Sequence, residues 1–169
     1  MVCSCMIPMP NFPTNCEWGP ILWRLLHGLA DKYGRLMSPL YEKEQSIAWP
    51  ILIIETQKIL PCKDCRENYK QYLTLHNPNI LKTLNANDQQ LWVQNFFWDL
   101  HNKKNLENNK SIIPFDQLHN LYNNENFLFD LKHFEKLLIV VFRYNEVSLF
   151  SWKNWLKQFK MIQSIYGLY

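Results

Sequence analysis

Leu60-Pro61-Cys62-Lys63-Asp64-Cys65-Arg66-Glu67-Asn68-Tyr69 is the stretch on which the reading of this chain turns. Two cysteines stand two residues apart, directly after a proline and at the start of a helix-like segment. Three chemistries fit that spacing: half of a zinc site, a thiol–disulfide exchange centre, or two buried thiols. At a helix N-terminus, unpaired backbone N–H groups and the positive end of the helix dipole stabilise a thiolate, and Lys63 and Arg66 stand where they add to that field. What flanks the pair decides the fold. A thioredoxin-like exchange enzyme needs a βαβ frame around its Cys-x-x-Cys, whereas the apolar residues on both sides of this one recur at helical spacing.

Upstream, Leu22, Leu25, Leu26, Leu29 and Tyr33 form one helical stripe. Pro20 is expected in the first turn, where its missing N–H costs nothing, and Gly34 at the helix end. Trp23 and His27 lie four apart on a neighbouring face. A second helix is expected from about Tyr41 to Ile59, with Ile47, Ile51, Ile54 and Trp49 turned inward and Pro50 kinking or dividing it. The third begins at the cysteine pair and carries Cys65, Tyr69, Tyr72 and Leu73 at one-turn spacing.

Downstream, a polar loop from His76 to Asn87 leads to Asp88, a fair N-cap. The fourth helix has unusual content: Leu91-Trp92-Val93-Gln94-Asn95-Phe96-Phe97-Trp98-Asp99-Leu100-His101-Asn102. Trp98, His101, Asn102 and Asn105 share one face by their spacing. Buried polar groups must find partners, so a polar, planar, ordered group is expected against that face. A flat heterocycle with ring nitrogens, carbonyls and ribityl hydroxyls satisfies it.

Composition narrows the classes. With 169 residues, 47% of them hydrophobic, the chain is long and apolar enough for one domain with a true core, and disorder is excluded. A net charge of +3 with scattered Lys and Arg gives no nucleic-acid surface. No apolar run reaches the length of a membrane span, and no secretory signal is visible. Five cysteines without a dense framework suit a reducing compartment and favour a catalytic Cys-x-x-Cys over a static staple. Residues 1–16, with Cys3, Cys5 and Cys16 among three prolines, read as a mobile arm: either an incidental tail or a flexible shuttle that reaches the redox pair.

Three blocks taken together resemble the Erv/ALR family of FAD-dependent sulfhydryl oxidases. They are Trp18-Gly19-Pro20-Ile21-Leu22-Trp23-Arg24-Leu25-Leu26-His27, Pro61-Cys62-Lys63-Asp64-Cys65, and His101-Asn102-Lys103-Lys104-Asn105 followed by Lys110. Gly19, Trp23, Leu26 and His27 match the family's Gly-x-x-x-Trp-x-x-Leu-His. His101, Asn102, Asn105 and Lys110 match its His-Asn-x-Val-Asn-x-x-Leu-x-Lys-Pro, with Lys104, Asn108 and Ser111 in place of Val, Leu and Pro. Tyr33 and Tyr122 stand where the family carries aromatics. The resemblance covers residues 18–122.

It implies an all-α fold: a four-helix bundle plus a short fifth helix that binds FAD, here followed by a helical C-terminal extension. The expected organisation is an N-terminal arm over 1–16, the oxidase bundle over 17–122, and the extension over 123–169. By position, Gly19, Trp23, His27, Tyr33, Trp98, His101, Asn102, Lys104, Asn105, Lys110 and Tyr122 are expected to bind the flavin and adenine, with Lys110 facing the phosphates. Cys65 is expected against the isoalloxazine and Cys62 toward incoming thiols. The implied activity is that of a flavin-linked thiol:oxygen oxidoreductase that forms disulfides in protein thiols and passes electrons to O2 as hydrogen peroxide. Its implied partners are thiol substrates, thioredoxin-like or small cysteine-containing carriers among them, and a second copy in a homodimer. Cys3, Cys5 and Cys16 resemble the family's shuttle pairs loosely.

The short chain and its eighteen asparagines are most similar to versions from large cytoplasmic DNA viruses, which implies host cytoplasm or virion, with the mitochondrial intermembrane space as the alternative. No metal is expected. The competing zinc-binding interaction module would use Cys62 and Cys65 with His76 and His101 or Cys16. In the extension, Phe127, Leu131, Phe134, Leu138 and Val141 are expected on one helix face, and Trp152, Trp155, Leu156 and Phe159 on another. Covering the bundle, completing a dimer and docking a partner all remain open for it.

Overall fold

The computed structural model describes residues 11–168, so Cys3 and Cys5 lie outside the described residues. Those residues form seven α-helices with 3-10 turns between them: α1 (Asn15–Asp31), α2 (Glu42–Ile59), α3 (Lys63–Leu75), α4 (Ala86–Glu107), α5 (Leu118–Tyr122), α6 (Leu128–Arg143) and α7 (Leu149–Ile165). No strand occurs among them. The all-α expectation is met.

Several helix boundaries have a local chemical cause. α1 starts at Asn15 because the Glu17 carboxylate accepts from both the N–H and the hydroxyl of Thr14, half of a capping box. The helix therefore opens five residues before Pro20. Cys16 belongs to α1 rather than to a mobile arm, and Pro20 lies inside the helix instead of in its first turn. The helix closes at Asp31, and Gly34, at φ 83°, turns the chain three residues later. At α4 the cap is Asn85, whose side chain accepts from the Asp88 N–H, so Asp88 is a first-turn acid and not the expected cap.

The α1 stripe is buried as expected: Leu22, Leu25, Leu26, Leu29 and Tyr33 are all in the core. α2 corrects the sequence reading. It runs continuously through Pro50, and its buried residues are Gln45, Ala48, Trp49, Pro50, Leu52, Ile53, Thr56 and Ile59, while Ile47 and Ile51 are exposed and Ile54 is half-buried. The reason is that α2 is covered by the C-terminal extension, which the helical period of α2 alone does not reveal.

α7 packs along α2, and α6 packs along α1. One core cluster runs from Trp18 to Leu168, so bundle and extension share a single apolar interior. Polar side chains lock the α2–α7 seam. Trp155 Nε1 donates to Thr56 Oγ1 at 2.9 Å. Trp49 Nε1 donates to the Tyr166 hydroxyl at 2.7 Å, which donates to Gln45 Oε1 at 2.6 Å. Buried hydrogen bonds of this kind contribute about 1 kcal/mol each when made, and leaving a buried partner unsatisfied costs more. The extension therefore covers the bundle.

Candidate functional site

α3 positions the cysteine pair. Cys62 is its N-cap and Cys65 lies one turn in, with the two Cα atoms 5.1 Å apart and the side chains disulfide-bonded. The Cys65 N–H donates to the Cys62 sulfur at 3.2 Å, so the first-turn backbone is aimed at the redox pair as its spacing implied. Arg66 is otherwise engaged. It donates to the carbonyls of Leu60, at 2.7 Å, and Pro61, at 3.3 Å, and pairs with Glu146 of the α6–α7 turn at 3.1 Å. The extension thereby braces the loop on which the cysteines sit.

Cys65 opens into a cavity of about 810 Å³, and Cys62 is not among its walls. That volume falls within the range of small-molecule and cofactor sites, about 300–1,000 Å³. α1 contributes Trp18, Gly19, Trp23 and Arg24, α4 contributes His101, Lys104 and Asn105, and the segment after α4 contributes Asn108, Lys110 and Ile113. α5 closes the far wall with Leu121 and Tyr122. Three elements distant in sequence thus meet the second cysteine.

The aromatic residues form a layered wall. Trp23 stacks on His101, ring centroids 4.2 Å apart and planes 10° from parallel. Behind them His27 stacks on Tyr122 at 4.5 Å. His27 Nε2 and His101 Nδ1 are 3.1 Å apart, one donating to the other. Burial pushes the His27 pKa down to about 3, and the nearby His101 adds to the effect. Burial also pushes His101 down to about 4, helped by the positive charge of Lys110. Both imidazoles are neutral at pH 7, which leaves a flat, uncharged wall able to accept or donate at its edges.

Several expected site residues stand elsewhere. Tyr33 is a core residue and not part of the cavity; its hydroxyl donates to Gln89 Oε1 at 2.8 Å and its ring lies on Trp49. Trp98 and Asn102 do not line the cavity either. Trp98 Nε1 donates to the Ile113 carbonyl at 2.7 Å, while Asn102 donates to that carbonyl at 2.9 Å and accepts from the Ile113 N–H at 2.8 Å. They satisfy their polarity by pinning the segment that carries Lys110, and so support the site from behind. His27 is likewise one layer back. Gly19, Trp23, Cys65, His101, Lys104, Asn105, Lys110 and Tyr122 do line the cavity together.

The structure brings further residues to the cavity, Cys16 among them, which the sequence reading places only in the arm as a possible shuttle. Arg24 and Trp18 are cavity walls. Asn15 and Cys16 line it too, and Asn15 Oδ1 is 3.7 Å from the Cys65 sulfur. The signal for Asn15 and Cys16 was present in the capping pair Thr14 and Glu17, which starts α1 early enough to reach the cysteines.

The walls suit a planar, anionic ligand on three counts. The rings of Trp23, His101 and Tyr122 line the cavity together with three cations and no carboxylate. A Cβ on Gly19 would meet nothing within 4 Å, so the glycine leaves open space at the wall. The buried Trp18 indole N–H has no partner among the described residues, a donor that an acceptor on a ligand would satisfy. The zinc alternative has no comparable support. Among the described residues no three His, Cys, Asp or Glu side chains come together, and His76 is stacked on Tyr72.

Comparison with known proteins gives one positive result: the sequence model of the Erv1 / Alr family matches residues 20–125. No curated protein and no solved structure matches the chain.

Proposed function

Since the chain belongs to the Erv1 / Alr family over more than half its length, we propose that it is a FAD-dependent sulfhydryl oxidase that forms disulfides in protein thiols. The observation that carries this reading is the placement of the Cys62–Cys65 disulfide at the N-terminus of α3, with Cys65 alone of the pair in the wall of the stacked-aromatic cavity.

The chain's own residues define the thiol half of the reaction. A substrate thiolate attacks the Cys62 sulfur, the Cys62–Cys65 bond breaks, and Cys65 leaves as a thiolate on the cavity side. A second substrate thiolate then attacks the mixed disulfide at its substrate sulfur and releases Cys62. The substrate has lost two electrons as a disulfide, and the cysteine pair holds them as two thiols. The Cys65 N–H aimed at the Cys62 sulfur stabilises negative charge there as Cys62 departs. FAD, when bound, supplies a two-electron acceptor that reoxidises the pair and hands the electrons to O2 as hydrogen peroxide. Trp23, His101 and Tyr122 would offer the ring faces for it, and Lys104 and Lys110 charges for its phosphates. Lys104, standing where the family pattern has valine, is paired with Glu107 at 2.6 Å and still lines the cavity.

The test is a visible absorption spectrum of the purified protein. Flavin bands bleached by dithiothreitol under nitrogen and restored by air, with peroxide released on reoxidation, support the reading. A colourless protein that neither takes up FAD nor consumes oxygen with dithiothreitol would sink it. In the same reading, Cys65→Ser keeps bound flavin and loses turnover, and normal turnover by that variant would refute the assigned roles. A working homodimer, protein thiols as donors and a reducing cytoplasm or virion as the setting complete the proposal. Light scattering of the flavin-loaded protein tests the first of these.

A further inference from the structure

Arg24 is the one cationic cavity wall whose direction is fixed by the C-terminal extension. Its Nε and Nη2 donate to the two carboxylate oxygens of Asp130, at 3.0 Å and 2.7 Å. Asp130 stands in the first turn of α6, and its side chain is 8% exposed against 42% for that of Arg24. The bidentate pair therefore has a buried anchor and an outward cation. A guanidinium carries five N–H donors. Two donors, both on the Nε/Nη2 edge, are used on Asp130, and Nη1 makes no hydrogen bond among the described residues.

The surroundings point that edge toward an anion. Arg24 lines the same cavity as Lys104 and Lys110, and no acidic side chain lines it. The pairing with Asp130 also holds the Arg24 pKa above its ordinary value, so the charge persists at every working pH. Arginine held by a carboxylate on one edge is pre-organised to bind phosphate oxygens with the other, since the entropy of ordering its long side chain is already spent.

We propose that Asp130 is a positioning residue and Arg24 a diphosphate-contacting residue of the cofactor site, so that the extension is part of the machinery that selects FAD over a flavin without phosphates. This rests on the flavin reading above and extends it to Arg24, a residue at a variable position of the first sequence block, and to Asp130, which lies beyond the matched segment.

The test is equilibrium binding of FAD and of riboflavin to the full-length apoprotein, followed by flavin fluorescence. Arg24→Gln is expected to weaken FAD at least about tenfold while changing riboflavin less than about twofold. The FAD deficit should shrink as salt is raised, since it is a charge effect. Asp130→Asn, which keeps the shape and one acceptor, should lose FAD selectivity in the same direction but less. Arg24→Lys should recover part of it. Equal weakening of both flavins by Arg24→Gln would show a packing role and overturn the proposal. So would an Asp130→Asn protein that melts earlier yet keeps the unaltered FAD-to-riboflavin ratio. Failure of the unaltered protein to bind either flavin would instead refute the flavin reading itself, and this assignment with it.

Discussion

Lowering the pH from 7 to 5.5 is expected to destabilise this protein through the His27–His101 pair, before its carboxylates titrate. In the folded state burial holds His27 near pKa 3 and His101 near 4, against 6.5 for a free imidazole. The unfolded chain thus binds up to two more protons than the folded one in the window between the folded values and 6.5. Stability depends on pH in proportion to that proton difference, and it rises with pH where the unfolded state binds more. The stabilisation is therefore full above pH 6.5 and lost as pH falls toward 4. At pH 5.5 most unfolded imidazoles are protonated and most of the folded ones are not, which costs about 1 kcal/mol per histidine, about 2 kcal/mol together. Against a typical domain stability of about 5–15 kcal/mol, that is a readable fraction. Urea unfolding followed by tryptophan fluorescence at pH 7.5, 7, 6.5, 6 and 5.5 gives the profile. A plateau above pH 7 and a fall below 6.5 are expected, and the fall should flatten in the His27→Gln/His101→Gln double variant. A profile flat from 7.5 to 5.5, or one unchanged in the double variant, would refute the argument that a buried neutral pair stands in and behind the cavity wall.

Other consequences follow from specific contacts. Gly28→Ala should lower the melting temperature, although alanine is the better helix former by about 1 kcal/mol: the new Cβ would stand 2.8 Å from the Phe127 ring and 3.3 Å from the Tyr122 carbonyl, and overpacking costs about 1–3 kcal/mol. Calorimetry checks this, and a Phe127→Leu second substitution should restore part of the loss. Asn102→Ala strips two hydrogen bonds from the Ile113 backbone and should cost about 1–3 kcal/mol in urea unfolding; FAD affinity should fall with it, because Lys110 rides on the released segment. Removing residues 148–169 uncovers Trp49, Leu52 and Ile53 and leaves Thr56 without its Trp155 partner. The shortened chain should show no cooperative urea transition, and a native-like midpoint would mean that α7 is dispensable to the core.

Much of this protein was determined locally. Leu22, Leu25, Leu26 and Leu29 at helical spacing, the Phe127-to-Val141 stripe, and a cysteine pair behind Pro61 each specify their element by periodicity or backbone chemistry that needs no partner. The site blocks around Trp23, Cys65 and His101 were legible for the same reason, as residue types at fixed spacing. What the sequence left open is which face of an element another element covers. Ile47, Ile51 and Ile54 on α2 form as good a helical stripe as the buried one, and only the arrival of Trp155 from α7 and Tyr166 at its C-cap decides between them. Tyr33, Trp98 and Asn102 carry cofactor-like chemistry, yet Gln89 and Ile113 satisfy them first. Arg24 gave no signal, because its meaning lies in a carboxylate 106 residues away. Periodicity fixes where a side chain stands on its own helix; long-range packing fixes what it meets, and that encounter decides whether it serves the core, supports a loop or lines the cavity.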